Sequence, residues 1–308
     1  MTTSFGIIII GDEILSGKRA DKHLPKAIEL LKARGLALSY ADYVGDDPAR
    51  ITATLARAFA AARASGDVVF SCGGIGATPD DHTRQCAATA LGLKLALHPE
   101  AKALITSRMQ DVAKEQGVAF EPDRHDNIHR LNMGVFPVGC EIIPNPYNKI
   151  PGFSCFVQGK DSSNQQGPRN WLRQAAGAAA TSGGSDPHEV GERGGLHFLP
   201  GFPVMAWPMI EWVLDTHYPH LHQSSAYIEK SIIVFGSMEA TLTPLMLDLE
   251  ASHPGIKVFS LPSVDHATYG RHIELGVKGA PEAVALAYPA LLAGLADFDF
   301  RLGPELVR

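Results

Sequence analysis

After a short polar lead the chain runs through an unbroken apolar stretch, Phe5–Ile10, and stops abruptly at Gly11-Asp12-Glu13. Six positions with no polar alternation predict a strand covered on both faces, which is the habit of a parallel sheet. From Leu24 to Gly35 the apolar positions fall instead at helical spacing, with Pro25 early and Gly35 at the end, and Leu36–Val44 predicts the second strand. Asp47-Pro48 supplies a cap and a first-turn proline for a helix that puts Ile51, Leu55, Ala58, Phe59 and Ala62 on one face and ends at Gly66. Val68–Cys72 is a third apolar strand. This alternation predicts a doubly wound α/β sheet whose ligands gather at the carboxyl ends of its strands.

Farther along, Pro99–Gln116 predicts a helix, Asn132–Ile143 a loop entering a short strand, and Ser154–Val157 and Leu196–Leu199 two more strands beside Pro151-Gly152 and Pro200-Gly201. Between them, residues 159–195 are rich in Gly, Ala, Ser and Gln and read as an irregular insertion, with a short Ala-rich helix at Pro168–Thr181. After Tyr218 the pattern changes. Strands at Ile228–Phe235, Lys257–Leu261 and Arg271–Val277, with helices at Glu239–Ser252 and Pro281–Ala296, predict a small α+β unit with an antiparallel sheet. The expected division is an α/β domain over residues 1–222 and a second domain over 223–308.

Candidate chemistry concentrates after the third strand, in Ser71-Cys72-Gly73-Gly74-Ile75-Gly76-Ala77-Thr78-Pro79-Asp80-Asp81-His82-Thr83-Arg84. Gly73, Gly74 and Gly76 let the backbone approach a ligand and present N–H groups to it, and the helix that follows adds a partial positive charge suited to phosphate. Asp80 and Asp81 would repel phosphate unless a cation such as Mg²⁺ sits between. Asp81 also has the residue type of a plain helix cap. The spelling is neither a dinucleotide fingerprint, because Pro79 stands where glycine belongs, nor a P-loop, because the Lys-Ser/Thr pair is missing. Asp12-Glu13 and Asp46-Asp47 follow the first and second strands, so one crevice is expected to receive all three acidic pairs.

Lys and Arg number 27 against 33 Asp and Glu, a net charge of −6, which leaves no basic field for nucleic acid and favours a small phosphorylated ligand. The four cysteines show no C-x-x-C spacing, no basic leader or membrane span is evident, and a cytoplasmic address with reduced thiols is expected.

Taken in order, Ile10-Gly11-Asp12-Glu13-Ile14-Leu15-Ser16-Gly17, Val44-Gly45-Asp46-Asp47, the Gly73–Arg84 motif, Ile143-Pro144-Asn145-Pro146 with Pro151-Gly152, and Leu199-Pro200-Gly201-Phe202-Pro203 resemble the N-terminal part of the competence/damage-inducible protein A family. Through it the chain is similar to the molybdopterin-binding domain of molybdenum-cofactor biosynthesis enzymes. The resemblance implies a three-layer α/β fold, homo-oligomerisation, and a crevice for molybdopterin or an adenine nucleotide. It also implies metal-dependent pyrophosphate chemistry, either cleavage of ADP-ribose or adenylylation, with a non-catalytic binding scaffold as the alternative. On this reading Gly73, Gly74, Ile75, Gly76 and Thr78 cradle phosphate, Asp81 and Asp46 hold Mg²⁺ or another divalent cation, and Asp80, Asp81 and Asp46 serve catalysis. Asp12, Glu13, Ser16, Pro200 and Gly201 line the same rim.

Two departures bear on turnover. Relatives usually carry a hydroxyl and a carboxylate after the second Pro-Gly, where this chain has Phe202-Pro203-Val204-Met205-Ala206, and Asn148-Lys149 replaces a small Gly-Thr pair. Lys149 is itself a candidate point charge for phosphate. The resemblance ends with the small second module, so the nicotinamide mononucleotide deamidase domain of those proteins is expected to be missing. His125 and His129, four apart, have the spacing of a Zn²⁺ pair, but beside Pro122 and many polar residues they read as a solvated loop or helix start. His217, His220 and His222 read as linker surface.

Overall fold

The computed structural model describes residues 3–157, 194–222 and 228–308. The expected Pro168–Thr181 helix, with most of the 159–195 insertion, lies outside the described residues. Two compact units divide the chain, Met1–Leu221 and His222–Arg308.

In the first unit the apolar runs become a six-stranded sheet. Its strands in chain order are β1 (Phe5–Ile10), β2 (Leu38–Val44), β3 (Val68–Cys72), β6 (Glu141–Ile143), β7 (Gly152–Phe156) and β8 (Gly195–Leu199), and their spatial order is β2-β1-β3-β8-β7-β6. β1 pairs in parallel with β2 and β3, and β3 with β8, while β7 runs antiparallel to both β8 and β6. β4 (Leu95–Leu97) and β5 (Val135–Pro137) form a separate ribbon.

Every residue of β1 and β3 is buried because helices cover both faces. On one face Ile8, Ile10, Val69 and Phe198 meet α3 (Pro48–Ser65), α4 (Thr83–Leu91) and α5 (Pro99–Glu115); on the other Phe5, Ile7, Ile9 and Phe70 meet α2 (His23–Lys32) and α7 (Pro203–His217). Each fully buried isoleucine or phenylalanine contributes about 1.5–3 kcal/mol, which is why this three-layer arrangement follows from the pattern. The predicted capping of α3 is present: Asp47 accepts from the Arg50 N–H, and Gly66 ends the helix at φ 73°. Ile51, Leu55, Ala58, Phe59 and Ala62 are its buried face.

Some elements have weaker sequence signals. α7 is apolar nearly all round and carries Pro208 in its interior, so no amphipathic stripe marks it. α6 (His125–Leu131) occupies the stretch read as loop or helix start, and the short α1 (Asp12–Leu15) lies inside the first acidic loop. Within the sheet, His197 is fully buried on β8, its Nδ1 2.8 Å from the Ser154 hydroxyl and its Nε2 2.8 Å from the Tyr218 hydroxyl. His217 is not the surface residue expected; its ring sits 5.0 Å from that of Phe156 and 5.3 Å from that of Trp212.

The second unit is an antiparallel sheet in the order β10-β11-β9-β12, built from β9 (Ile228–Phe235), β10 (Ile256–His266), β11 (Gly270–Gly279) and β12 (Arg301–Val307). α8 (Glu239–Ser252) and α9 (Pro281–Leu295) cover one face through Leu242, Leu249, Val284, Tyr288 and Leu291. β12 is the strand the apolar pattern does not announce, since most of its side chains are exposed. Among the described residues no helix is long and apolar enough to cross a membrane.

Candidate functional site

Because β1, β2, β3 and β8 all point the same way, the loops that follow them emerge at one edge of the sheet. The first two are tied together. The Gly11 N–H donates to the Val44 carbonyl at 3.0 Å, the Asp12 N–H donates to the Asp46 carboxylate at 2.9 Å, and the Asp46 N–H returns a bond to the Asp12 carboxylate at 3.2 Å. The reciprocal pair uses Oδ2 of Asp46 and Oδ1 of Asp12, and among the described residues no donor occupies the other oxygen of either. Burial raises the pKa of Asp46, and the like charges of Asp12, Glu13 and Asp80 raise it further, against the opposing N–H of Asp12. The three acidic loops therefore act on one carboxylate, the convergence the topology called for. Ser16 is exposed at the end of α1, its N–H donating to the Asp12 carbonyl at 2.8 Å.

The third loop is built around close approaches. Gly73, at φ 111°, passes so near β1 that a Cβ would stand 2.1 Å from the Ile10 carbonyl oxygen, and its N–H donates to Leu199 at the end of β8 at 2.9 Å. Gly76 faces Asp81, whose carboxylate would meet a Cβ at 2.5 Å. Thr83, fully buried at the start of α4, stitches the turn from below: its hydroxyl donates to the Gly73 carbonyl at 3.1 Å and its N–H to the Gly74 carbonyl at 3.0 Å. Among the described residues the N–H groups of Gly74, Ile75 and Gly76 have no intrachain acceptor. Three consecutive free donors in a glycine turn are the makings of an anion-binding concavity.

The two carboxylates behave differently. Asp81 is half-buried, and its Oδ2 accepts from the Thr78 N–H at 2.8 Å and the Thr78 hydroxyl at 2.5 Å, closing the loop. It does not cap α4, whose N-cap position is His82 and receives no side-chain bond. Asp80 is exposed, its pKa held below the usual range chiefly by the Thr78 hydroxyl. It is Asp80, not Asp81, whose charge reaches Asp46.

Beneath the turn Arg84 is nearly inaccessible. Its guanidinium donates to the Gly76 carbonyl at 2.6 Å and also to the Asn132 carbonyl just past α6, and burial lowers its pKa. On the far side Pro200-Gly201 approaches Gly73, a Cβ on Gly201 lying 3.5 Å from the Gly73 Cα. The buried His23 bonds the Gly201 carbonyl through Nε2 at 3.0 Å, and Asp21 accepts from the His23 and Leu24 N–H groups and from the Tyr43 hydroxyl.

The loop after β6 is organised by the buried Asn145, which donates to Asn148 Oδ1 and the Ile150 carbonyl at 2.8 and 2.9 Å and accepts from the Tyr147 N–H. Asn148 contacts the Met205 sulfur at 3.3 Å. Lys149 is the one non-glycine residue with positive φ among the described residues, at 63°. Its ammonium is spent on α5, 3.1 Å from the Ser107 hydroxyl and paired with Asp111, so the structure turns this candidate phosphate ligand to another task.

The predicted residues thus meet at one edge, while the sequence reading assigned no role to Thr83, Arg84, His23 or Asn145. Thr83 and Arg84 were visible inside the glycine motif, but nothing in a sequence says that a side chain points under a turn. For a divalent cation, Asp46 fits on two grounds: a carboxylate oxygen to spare in a residue bonded reciprocally to Asp12, and a charge already strained by neighbouring anions that a cation would relieve. Among the described residues no group of three His, Cys, Asp or Glu side chains stands ready to hold an ion without rearrangement.

A family profile described as a probable molybdopterin binding domain matches residues 6–223. The chain is 26% identical over 299 residues to a CinA-like protein of Mycobacterium tuberculosis, covering 95% of this chain and 59% of that one. It is also 26% identical over 256 residues to Protein TV0584 of Thermoplasma volcanium, covering 83% and 79% of the two chains. It therefore spans little more than half the length of the Mycobacterium relative. Among solved structures, CinA from Thermoplasma acidophilum is similar at 22% identity and a TM-score of 0.48, covering 69% of this chain and 98% of that chain. The molybdopterin biosynthesis enzyme MoaB of Thermus thermophilus is similar at 19% identity and a TM-score of 0.37, covering 71% and 94%.

Proposed function

Since the chain belongs to the molybdopterin-binding domain family, as a CinA-like member, we propose that its carboxyl-edge crevice binds a pyrophosphate-bearing ligand with a divalent cation and cleaves the pyrophosphate linkage. The ligand is a phosphorylated pterin or an adenine nucleotide such as ADP-ribose. One observation carries the reading: free N–H donors at Gly74, Ile75 and Gly76 share a sheet edge with the linked carboxylates Asp12 and Asp46.

In this proposal the Gly74–Gly76 amides and the amino end of α4 receive phosphate oxygens. Asp46 and Asp12 hold the cation, with Asp81 offering the oxygen that Thr78 leaves free, and Glu13, Ser16, Pro200 and Gly201 complete the walls. A bound Mg²⁺ supplies charge neutralisation on the phosphate oxygens. Asp80, exposed at the mouth, orients the attacking water. Hydrolysis forms one bond from water oxygen to phosphorus and breaks one bridging P–O bond. The water proton passes to Asp80, which orients that water, and the bridging oxygen leaves on the departing phosphate.

The test pairs binding with turnover. Calorimetry with ADP-ribose and Mg²⁺ or Mn²⁺ is expected to show saturable binding that Gly76→Ala weakens, and AMP release is expected to fall about 100-fold or more in Asp80→Asn, the range in which a positioned acid or base contributes. No binding at millimolar ligand, or binding indifferent to Gly76→Ala, overturns the proposal. A second reading, binding without turnover, draws on Val204-Met205-Ala206, which offer neither hydroxyl nor carboxylate beside the crevice. Intact binding with no AMP release under any of the metals selects it.

A further inference from the structure

α6 begins at His125 and carries His129 one turn later, so the two imidazoles share a helix face. Both are exposed, their Nε2 atoms are 3.2 Å apart, and their ring centroids are 4.4 Å apart. Two neutral imidazoles meet edge to edge through nitrogen only when one keeps its proton on Nε2 and the other offers a lone pair. A metal ion bound to two imidazole nitrogens at about 2.0–2.1 Å, with a near-tetrahedral angle between them, holds those nitrogens about 3.3 Å apart. The observed separation matches the bite of such a chelate, and metal binding requires the protonated ring to shift to its Nδ1–H tautomer and both rings to turn their Nε2 lone pairs toward one point.

The helix under the pair is fixed in place. Asn127, buried on the opposite side, donates to the Glu121 carbonyl at 2.7 Å and accepts from Arg130 at 3.0 Å. Nearby charges are engaged with one another: Arg124 pairs with Asp126 at 2.5 Å and Arg130 with the same carboxylate at 3.3 Å. The carboxylate in the first turn is thus drawn to the arginines. Among the described residues no third His, Cys, Asp or Glu joins the pair.

We propose that His125 and His129 form an open, bidentate site for a late first-row cation that prefers imidazole nitrogen, Ni²⁺, Cu²⁺ or Zn²⁺, with water filling the remaining positions. Its donors are nitrogen, so it discriminates against the Mg²⁺ that oxygen ligands favour. The site shares no ligand with the carboxyl-edge crevice.

Calorimetric titration of the chelator-stripped full chain with NiCl₂, in millimolar MgCl₂ to saturate oxygen sites, tests it. One saturable event is expected, weakened about tenfold or more by His125→Ala and equally by His129→Ala, because removing either ring leaves a single donor. His220→Ala, an exposed histidine elsewhere, and Asp46→Asn are expected to leave it unchanged, and both histidine variants lie on the surface, where circular dichroism confirms the fold. No saturable Ni²⁺ binding below about 1 mM, the weak end of specific association, or binding that survives both substitutions, overturns the assignment.

Discussion

Replacing Gly73 with alanine tests whether the cradle exists because the chain is forced close to β1. Two costs are separable. The φ of 111° is one that an L side chain rarely adopts, worth about 1–2 kcal/mol, and the added Cβ stands 2.1 Å from the backbone oxygen of Ile10, which cannot swing away as a side-chain tip would. Forcing the two segments apart adds about 1–3 kcal/mol, for a total of about 2–5 kcal/mol. Gly92, which ends α4 at φ 67° with nothing within 4 Å of its virtual Cβ, isolates the first cost, and Gly92→Ala is expected to lose only about 1 kcal/mol. Urea unfolding followed by tryptophan fluorescence reads the difference in the right unit, because Trp171, Trp207 and Trp212 all precede residue 222. A Gly73→Ala variant within about 0.5 kcal/mol of Gly92→Ala, the ordinary scatter of a neutral site, would refute the close-approach argument.

Two further outcomes follow from groups outside the crevice. Burial, with repulsion from His217 second, holds the His197 pKa well below its usual value, so the unfolded chain binds a proton that the folded chain refuses. Stability is then level above about pH 7 and falls as pH drops below about 6.5, by about 1.4 kcal/mol per pH unit until the folded-state value is reached. Unfolding from pH 7.5 to 5.5 is expected to show that slope flattened in His197→Gln; an identical slope in both proteins rules His197 out as its source. Lys149→Ala removes an ion pair whose partners are both roughly half exposed, so the loss is expected at about 0–1 kcal/mol with ADP-ribose affinity unchanged. A tenfold weaker affinity in calorimetry would show that Lys149 leaves Asp111 for the ligand.

Much of the fold was legible because it is carried by burial alone. Phe5–Ile10 and Val68–Cys72 are strands over the very residues whose apolar runs predicted them, and the Asp47-Pro48 start of α3 is a local signal that local physics honours. Elements without a period or a cap were not legible: α7 is apolar nearly all round, β12 is mostly exposed, and β4 and β5 have three residues each. The site divides along the same line. That Asp12, Asp46 and Asp80 share an electrostatic neighbourhood follows from parallel strands ending at one edge, and topology was predictable. Which of two adjacent aspartates faces the neighbours was not, because a single backbone step separates Asp80 from Asp81 and the Thr78 bonds that decide it are set by loop dihedrals.

The side chains that hold the site in shape differ from those that would touch a ligand, and this changes what mutagenesis reports. The turn at Gly73–Gly76 is secured from beneath by Thr83 and Arg84, from the side by Leu199, and across the edge by Asp81 and Thr78. Arg84 is the extreme case: a cation almost wholly removed from water, bonded to two neutral carbonyls, with Asp81 the nearby negative charge that offsets its depressed pKa. A buried charge so placed is costly unless its geometry is fixed, so Arg84 and Asp81 stabilise one another through the turn that lies between them. Loss of function on substituting Asp81 therefore has two physical routes, a missing cation ligand or a relaxed turn, and the Thr78→Val variant separates them. It deletes the hydroxyl bond to Asp81 but leaves both Asp81 oxygens and the Thr78 N–H in place, so a defect shared by Thr78→Val and Asp81→Asn points to the turn. A defect confined to Asp81→Asn points to the cation.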